Sequence, residues 1–468
     1  MAKLTRKLKK IFSSNSPSDI GVWGSINATT STDPDVLQGT GYETGVSSAE
    51  VSGKKLLPRK DFNGLKYETD YHLSYLYQSG IPEYDASTEY HIGSIVKDID
   101  SAIIYKSITA DNVSNPLTDS ENWGLCGDLG HLQLANNRNS IINGDFSVAQ
   151  RGTVFDSTTT PANNDDTYLL DRWLLLSDGN DACDVSQESS LVPTGARNAI
   201  KLEAKTADKQ FGICQIIEAS EVKRYVGGNA SLSFKARTTS SGIANIQAAV
   251  VAWDGTADSV TSDVIATWAS TPTFAANWTA ENTPSDLALT NSYQTFKIEN
   301  ISIDTSSLAN LAVFIWVADT TITVGDLLYV GEAQLEKSSV ATDFEHTLFG
   351  QHLRDCQRRF CKSYVYAARL KQTSFSNPIR GDSLVSGGGD SITGAMFPVT
   401  MAGVPTVTIY NPSTGSINSV YRVLTAGANS VTNASGVGDS GFRNIAASGS
   451  SLSAGEQYDY HYSADAEL

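Results

Sequence analysis

Along NASLSFKAR, Leu232 and Phe234 share one side with Ala230 and Ala236, while Ser231, Ser233 and Lys235 take the other. That period of two predicts a strand with one buried face. Comparable runs occupy Tyr168 to Leu176, Ala199 to Ala204, Gly212 to Ile217, Ala244 to Trp253, Tyr293 to Ile303, Leu311 to Trp316 and Leu327 to Leu335, separated by Gly, Asn, Asp and Ser turns. So many strands with hardly a helical period among them predict a two-sheet sandwich over residues 137–346.

The pattern changes on either side of that block. Phe349, Leu353, Cys356, Phe360 and Tyr364 recur at steps of four, three, four and four, which predicts a connecting helix over residues 347–364. Its apolar stripe is too narrow to stand unpacked, so an oligomerisation role is expected. Asp61 caps a second predicted helix carrying Phe62, Leu65, Leu73, Leu76 and Tyr77, which Gly80 and Pro82 stop. Ser13 to Val51 lacks periodicity and reads as extended, so residues 1–79 have the least core of their own and are assigned to attachment. Short alternating segments at Glu89 to Lys97 and Ala102 to Thr109, ending at Trp123, define a small β unit over residues 80–130. Strands near Thr406 to Tyr410, Ser419 to Leu424 and Gln457 to Ser463 make a C-terminal β-domain over 365–468, with Ser386 to Ser391 and Ala426 to Ser440 read as loops. In it Tyr458, Tyr460 and Tyr462 alternate onto one face. The fold class predicted is all-β: a small β module, a jelly-roll β-sandwich and a C-terminal β-domain, with short N-terminal and connecting helices.

Composition narrows the function. The 468 residues carry a formal net charge of -17, and 40% are hydrophobic against only 18% charged. An acidic chain whose one basic cluster is Lys3 to Lys10 is not expected to bind nucleic acid, since phosphate neutralisation needs clustered Lys and Arg. No apolar region follows that cluster as in a signal peptide, and no run approaches the ~20 apolar residues of a membrane span. Cys126, Cys183, Cys214, Cys356 and Cys361 show no CxxC spacing, which favours reduced thiols in a chain folded in a cytoplasm.

Three groups of motifs carry resemblances. EYDASTEYHIGSIV, IIYKSI and NPLTDSENW place Tyr90, Gly93, Val96, Tyr105, Pro116 and Trp123 in the order of the carbohydrate-binding modules often attached to chitinases and widespread in phage fibres, which the small unit resembles. NGDFS, LDRW and LLYVGEAQLEKSSVATDFEH make residues 139–346 similar to carbohydrate-binding jelly rolls. QHLRDCQRRFCKSY, DSGFRNIAASG, YDYHYSADAEL and SPSDIGVWGSINA resemble segments of bacteriophage tail-fibre proteins. These resemblances imply a virion tail protein assembled in the host cytoplasm. It would be a homotrimer, joined to other tail proteins through its N-terminus and contacting host surface polysaccharide, with no membrane insertion.

Candidate chemistry is sparse. A sugar ring stacks its C–H face on an aromatic ring, so Tyr84, Tyr105 and Trp123 are the candidate carbohydrate-binding residues, the alternative being that they form the module's core. Related jelly rolls hold a structural calcium between first and last strands, which singles out Asp145 and Glu332 as candidate ligands. His352 and Cys356, four apart on the predicted helix, lack a third zinc ligand on their face, because Cys361 is rotated about 140° from Cys356. The six histidines show no HExxH spacing, and no GxSxG or Walker loop occurs. The chain is therefore expected to bind without catalysis and without a cofactor. The alternatives are a tail-borne polysaccharide depolymerase and a bacterial carbohydrate-binding accessory protein.

Overall fold

A computed structural model describes residues 73, 75–99, 103–128, 138–261, 263–384, 391–447, 452 and 455–468. The expected attachment region lies almost wholly outside them. Its helix is seen at residues 75–79, and it stops as its sequence predicts, with Gly80 at φ +66° donating its N–H to Leu76 O at 2.8 Å. The chain divides into two compact units, Met1–Leu134 and Ala135–Leu468.

In the first unit, β1 (Ile95–Lys97), β2 (Ile103–Ser107) and β3 (Trp123–Asp128) form an antiparallel sheet in chain order. Its core is small: Tyr90, Val96 and Trp123 are buried, with Tyr84, Tyr105 and Leu117 packed against them.

In the second unit a sandwich comes first. Its strands are β4 (Val154–Phe155), β5 (Thr167–Tyr168), β6 (Leu174–Ser177), β7 (Cys183–Glu188), β8 (Ala199–Ala204), β9 (Phe211–Ile217), β10 (Asn229–Thr238), β11 (Asn245–Trp253), β12 (Ile265–Thr267), β13 (Thr273–Phe274), β14 (Trp278–Ala280), β15 (Leu287–Ala288), β16 (Gln294–Ser302), β17 (Asn310–Val317) and β18 (Leu327–Glu336). One sheet runs β16-β10-β18-β8-β7-β4, and the other runs β14-β11-β17-β9-β6-β5 with β15 against β11. The second sheet is covered twice. Its inner face joins the main core, while Val264, Trp268 and Trp278 cover Val251, Phe314 and Trp316 on its outer face. Every residue of β9 and β17 is therefore buried, which is why LAVFIWV reads as an unbroken apolar run and ICQII as one broken only by Gln215. By contrast β16, covered on one side only, keeps its alternation.

The C-terminal β-domain contains β19 (Phe360–Lys362), β20 (Ile379–Leu384), β21 (Ser391–Met396), β22 (Thr406–Tyr410), β23 (Ser419–Arg422), β24 (Gly427–Val437), β25 (Gly441–Ala447) and β26 (Gln457–Asp465). Hydrogen bonding runs β26-β20-β21-β25-β24-β23 and returns to β26, a closed antiparallel barrel. Tyr458, Tyr460 and Tyr462 project into its core with Ile392, Phe442 and Ile445. Tyr460 Oη donates to Thr393 O at 3.0 Å and Tyr462 Oη to Met396 O at 3.3 Å, so the buried hydroxyls are satisfied.

Two expectations are corrected. Most of Ala426 to Ser440 is not a loop but β24, whose small polar residues pair with β23 on one edge and β25 on the other. Ser386 to Ser391 falls mainly outside the described residues. The connecting helix spans Phe349–Gln357, not residues 347–364: from Phe360 the backbone pairs with β26, Phe360 opposite Asp465, and the ladder ends the helix. Its inner residues His352 and Cys356 are buried against this same unit, so the stripe has its partner within the chain.

Sandwich and barrel are joined by buried charge. Arg151 Nη2 lies 3.2 Å from Asp465 and 3.3 Å from Glu467, and its guanidinium carbon sits 3.7 Å from the Phe360 ring centre. Arg172 pairs with the other Glu467 oxygen and donates to Ile216 O at 2.7 Å. Burial lowers the pKa of both guanidinium groups, but the carboxylates outweigh it and hold them above their ordinary range. Across the same seam Arg359 Nε donates to Glu218 at 2.9 Å, and Gln150 Nε2 bridges Asp171 and Phe360 O at 2.6 and 2.8 Å.

Candidate functional site

The expected sugar platform of the small module is its core. Trp123 is 3% exposed, its indole N–H donates to Asn115 O at 3.0 Å, and the Tyr84 ring meets it edge-on at 5.7 Å. Tyr84 Oη donates to the same carbonyl at 2.7 Å, and burial pushes its phenol pKa up. A fifty-residue module has too few apolar residues to leave Trp123 outside, so its face is not offered to a ligand. Tyr105, half-buried, packs on the same cluster.

Asp145 and Glu332 also part from expectation. Their segments do meet: Ala333 N–H donates to Gly144 O at 2.9 Å, Asn139 Nδ2 donates to Ala333 O at 3.0 Å, and a Cβ on Gly144 would lie 2.1 Å from that oxygen. Glu332, at φ +50°, occupies the bulge that opens β18 to this contact. Each carboxylate, however, already has a cationic or basic partner. Lys235 Nζ lies 2.6 Å from Glu332 and His352 Nδ1 lies 3.2 Å from Asp145. Burial raises the Asp145 pKa, but His352 and Ser147 outweigh it, so the carboxyl stays below the usual range. Each of the two carboxylates is thus engaged by its own partner, Lys235 or His352.

The best-formed open constellation lies on the outside of the barrel. Because Tyr458, Tyr460 and Tyr462 face inward, Asp459 and His461 face out. Asp459 is opposite Arg380 of β20 on one edge and Tyr421 of β23 on the other. Arg380 grips it through two bonds, Nε to Oδ1 at 2.8 Å and Nη2 to Oδ2 at 2.9 Å, which raise the guanidinium pKa. Phe375 stands edge-on to Tyr421 at 5.0 Å and is 53% exposed. The Arg380 side chain is exposed to the same extent, whereas Asp459 is 5% exposed and so is fixed by its neighbours. Gln457 extends the row by donating to Asp382 at 3.1 Å.

Phe375 is held from below. Ser374 N–H donates to Pro412 O at 2.8 Å, and Ser374 O lies 3.0 Å from His461 Nε2. His461 is fully buried, stacks on Tyr364 at 3.9 Å, and has its pKa lowered by burial, which keeps the imidazole neutral as a donor. The patch thus offers aromatic edges and a planar donor–acceptor pair in a fixed frame. The exposed Phe375 ring and the exposed guanidinium of Arg380, which buried Asp459 orients, are groups that suit a polyhydroxylated ring. None of Phe375, Arg380, Tyr421 or Asp459 stands out in the sequence. The available signal is YDYHY, where polar residues alternating with core tyrosines must find partners outside the barrel.

No family model matches the chain, and no curated protein matches it. Among solved structures, it is similar to the enzymatically active domain of a bacteriophage CBA120 tailspike protein, at 12% identity and TM-score 0.26 over 42% of this chain and 21% of that one. The chain thus spans about a fifth of that domain's length. It is also similar to a carbohydrate-binding module, TmCBM61, in complex with β-1,4-galactotriose, at 14% identity and TM-score 0.25 over 43% of this chain and 99% of the module. A third similarity is to a sugar-binding protein from Bacteroides thetaiotaomicron, at 13% identity and TM-score 0.27 over 43% of this chain and all of that one.

Proposed function

We propose that this chain is a non-enzymatic adhesin of bacteriophage tail-fibre type that recognises host surface glycans through the outer face of its C-terminal barrel. The observation that carries the reading is the exposed Phe375 ring, packed edge-on against half-buried Tyr421, beside the Arg380–Asp459 fork. The tail-fibre part is supported by the sequence resemblance. QHLRDCQRRFCKSY and YDYHYSADAEL, two segments that resemble tail-fibre proteins, meet as β19 and β26 in one ladder. The test is binding of the full chain to host surface polysaccharide. A Phe375→Ala/Tyr421→Ala variant should lose about ten-fold in affinity while keeping its folded spectrum, because each aromatic contact contributes ~0.5–1.5 kcal/mol beyond its buried area. Unchanged affinity removes the patch from the reading, and reducing sugar released from the polysaccharide replaces binding with cleavage.

The protein is also proposed to be a homotrimer. Leu348, Met396, Val404 and Leu424 are each at least 69% exposed, apolar surface that association would cover. Light scattering at micromolar concentration should return about three times the chain mass, and a monomer mass would reject the trimer.

A further inference from the structure

Glu89, His91 and Asp111 in the small module bring one ligand atom each to within 4.8 Å of one another. From this geometry we infer that they form a surface site for a divalent cation of the zinc class.

The backbone explains why they converge. Tyr90 and Asn112 pair antiparallel, exchanging N–H···O bonds of 2.9 and 3.0 Å. Residues flanking Tyr90 in the bridge lie on its opposite face, so Glu89 and His91 are exposed while Tyr90 and Asn112 are buried; Asp111, in a turn at φ +53° beside Asn112, is exposed next to them. The inward pair is firmly anchored. Tyr90 packs edge-on against Trp123 at 5.2 Å, and Asn112 Nδ2 donates to Ser107 Oγ and Asn122 O at 3.0 Å each. The outer face therefore presents its three ligands from a fixed frame rather than from a loose loop.

Charge supports occupancy. Two carboxylates are brought together, and among the described residues neither has a Lys or Arg within ion-pair distance; the only basic group between them is His91. Like charges across a strand pair are destabilising, and a dication removes that repulsion. The donor set selects the metal. One imidazole nitrogen with two carboxylate oxygens suits zinc-class ions, whereas calcium takes six to eight oxygens. Bonds of about 2.0–2.2 Å need donor atoms about 3.3 Å apart, so each exposed side chain has only to close by about an ångström. Three protein ligands leave a position for water or for an oxygen of a bound molecule.

The test uses the full chain freed of metal with a chelator and titrated with Zn²⁺ by calorimetry. One saturable site per chain is expected, weakened at least ten-fold in His91→Ala and in Glu89→Gln, with equimolar Ca²⁺ failing to compete. Each variant is checked by limited proteolysis between residues 80 and 130, which these exposed substitutions should leave unchanged. Absence of saturable zinc binding, or zinc binding unchanged in both variants, overturns the site.

Discussion

Replacing Glu467 by alanine is expected to destabilise the sandwich–barrel unit by roughly 3–5 kcal/mol, the cost of leaving a buried charge without its partner. The side chain is 4% exposed and faces Arg151 and Arg172, themselves 2% and 1% exposed. Without it Arg151 keeps only Asp465 and Asp171, and Arg172 keeps only the Ile216 carbonyl among its hydrogen-bond partners described above. The penalty is mostly that of stranded cations, not lost attraction. It follows that an Arg172→Met/Glu467→Leu double variant should recover much of the loss of either single change. Urea denaturation of the four proteins checks this, and strictly additive effects would show that the two side chains are not coupled.

A second large effect is expected at Trp123→Ala, which should unfold the small module while the larger unit stays folded. Truncating a buried tryptophan costs ~3–5 kcal/mol. Among the described residues 80–128 the other buried apolar side chains are Tyr90, Val96 and Ile104, so this matches or exceeds the margin that so small a core provides. Limited proteolysis read by mass spectrometry should show new cleavage between residues 80 and 130 and nowhere else. A variant that stays protected there but loses glycan binding would instead make Trp123 a ligand-facing ring.

What the sequence reveals and what it hides follow from the range of the interactions. Ala199–Ala204 is a strand in the structure with the limits read from its alternation, because one covered face imprints itself on neighbouring residues. Cys183–Glu188 leaves a weaker imprint, since Asp184, Ser186 and Glu188 make its outer row polar and its apolar positions too few. β24 hides for a related reason: two paired edges hold NSVTNASG in a ladder whatever its side chains prefer. The stripe at 349–364 is a true 3.6-residue period as far as Gln357, after which pairing with a strand one hundred residues away decides the outcome. The site residues are harder still. Trp123 reads equally well as platform or core until its surroundings are known. Arg380, Tyr421 and Asp459 become neighbours only through the register of β26 between β20 and β23, which no local pattern encodes.

Strand β26 is hydrogen-bonded to β19, β20, β22 and β23, so four strands spread over sixty residues share one late partner. On a ribosome, those four wait with bare edges while the sandwich upstream already has every strand it needs. Barrel closure and the placement of Glu467 between the two arginines then come within a few residues of each other, making them a single late event. Assembly of this half of the molecule is thus governed by long-range loop closure, which is slow and leaves sticky edges in the interim. A nascent chain stalled before residue 457 would carry a finished sandwich, no Arg380–Asp459 pair, and a set of unpaired strands for chaperones to shield.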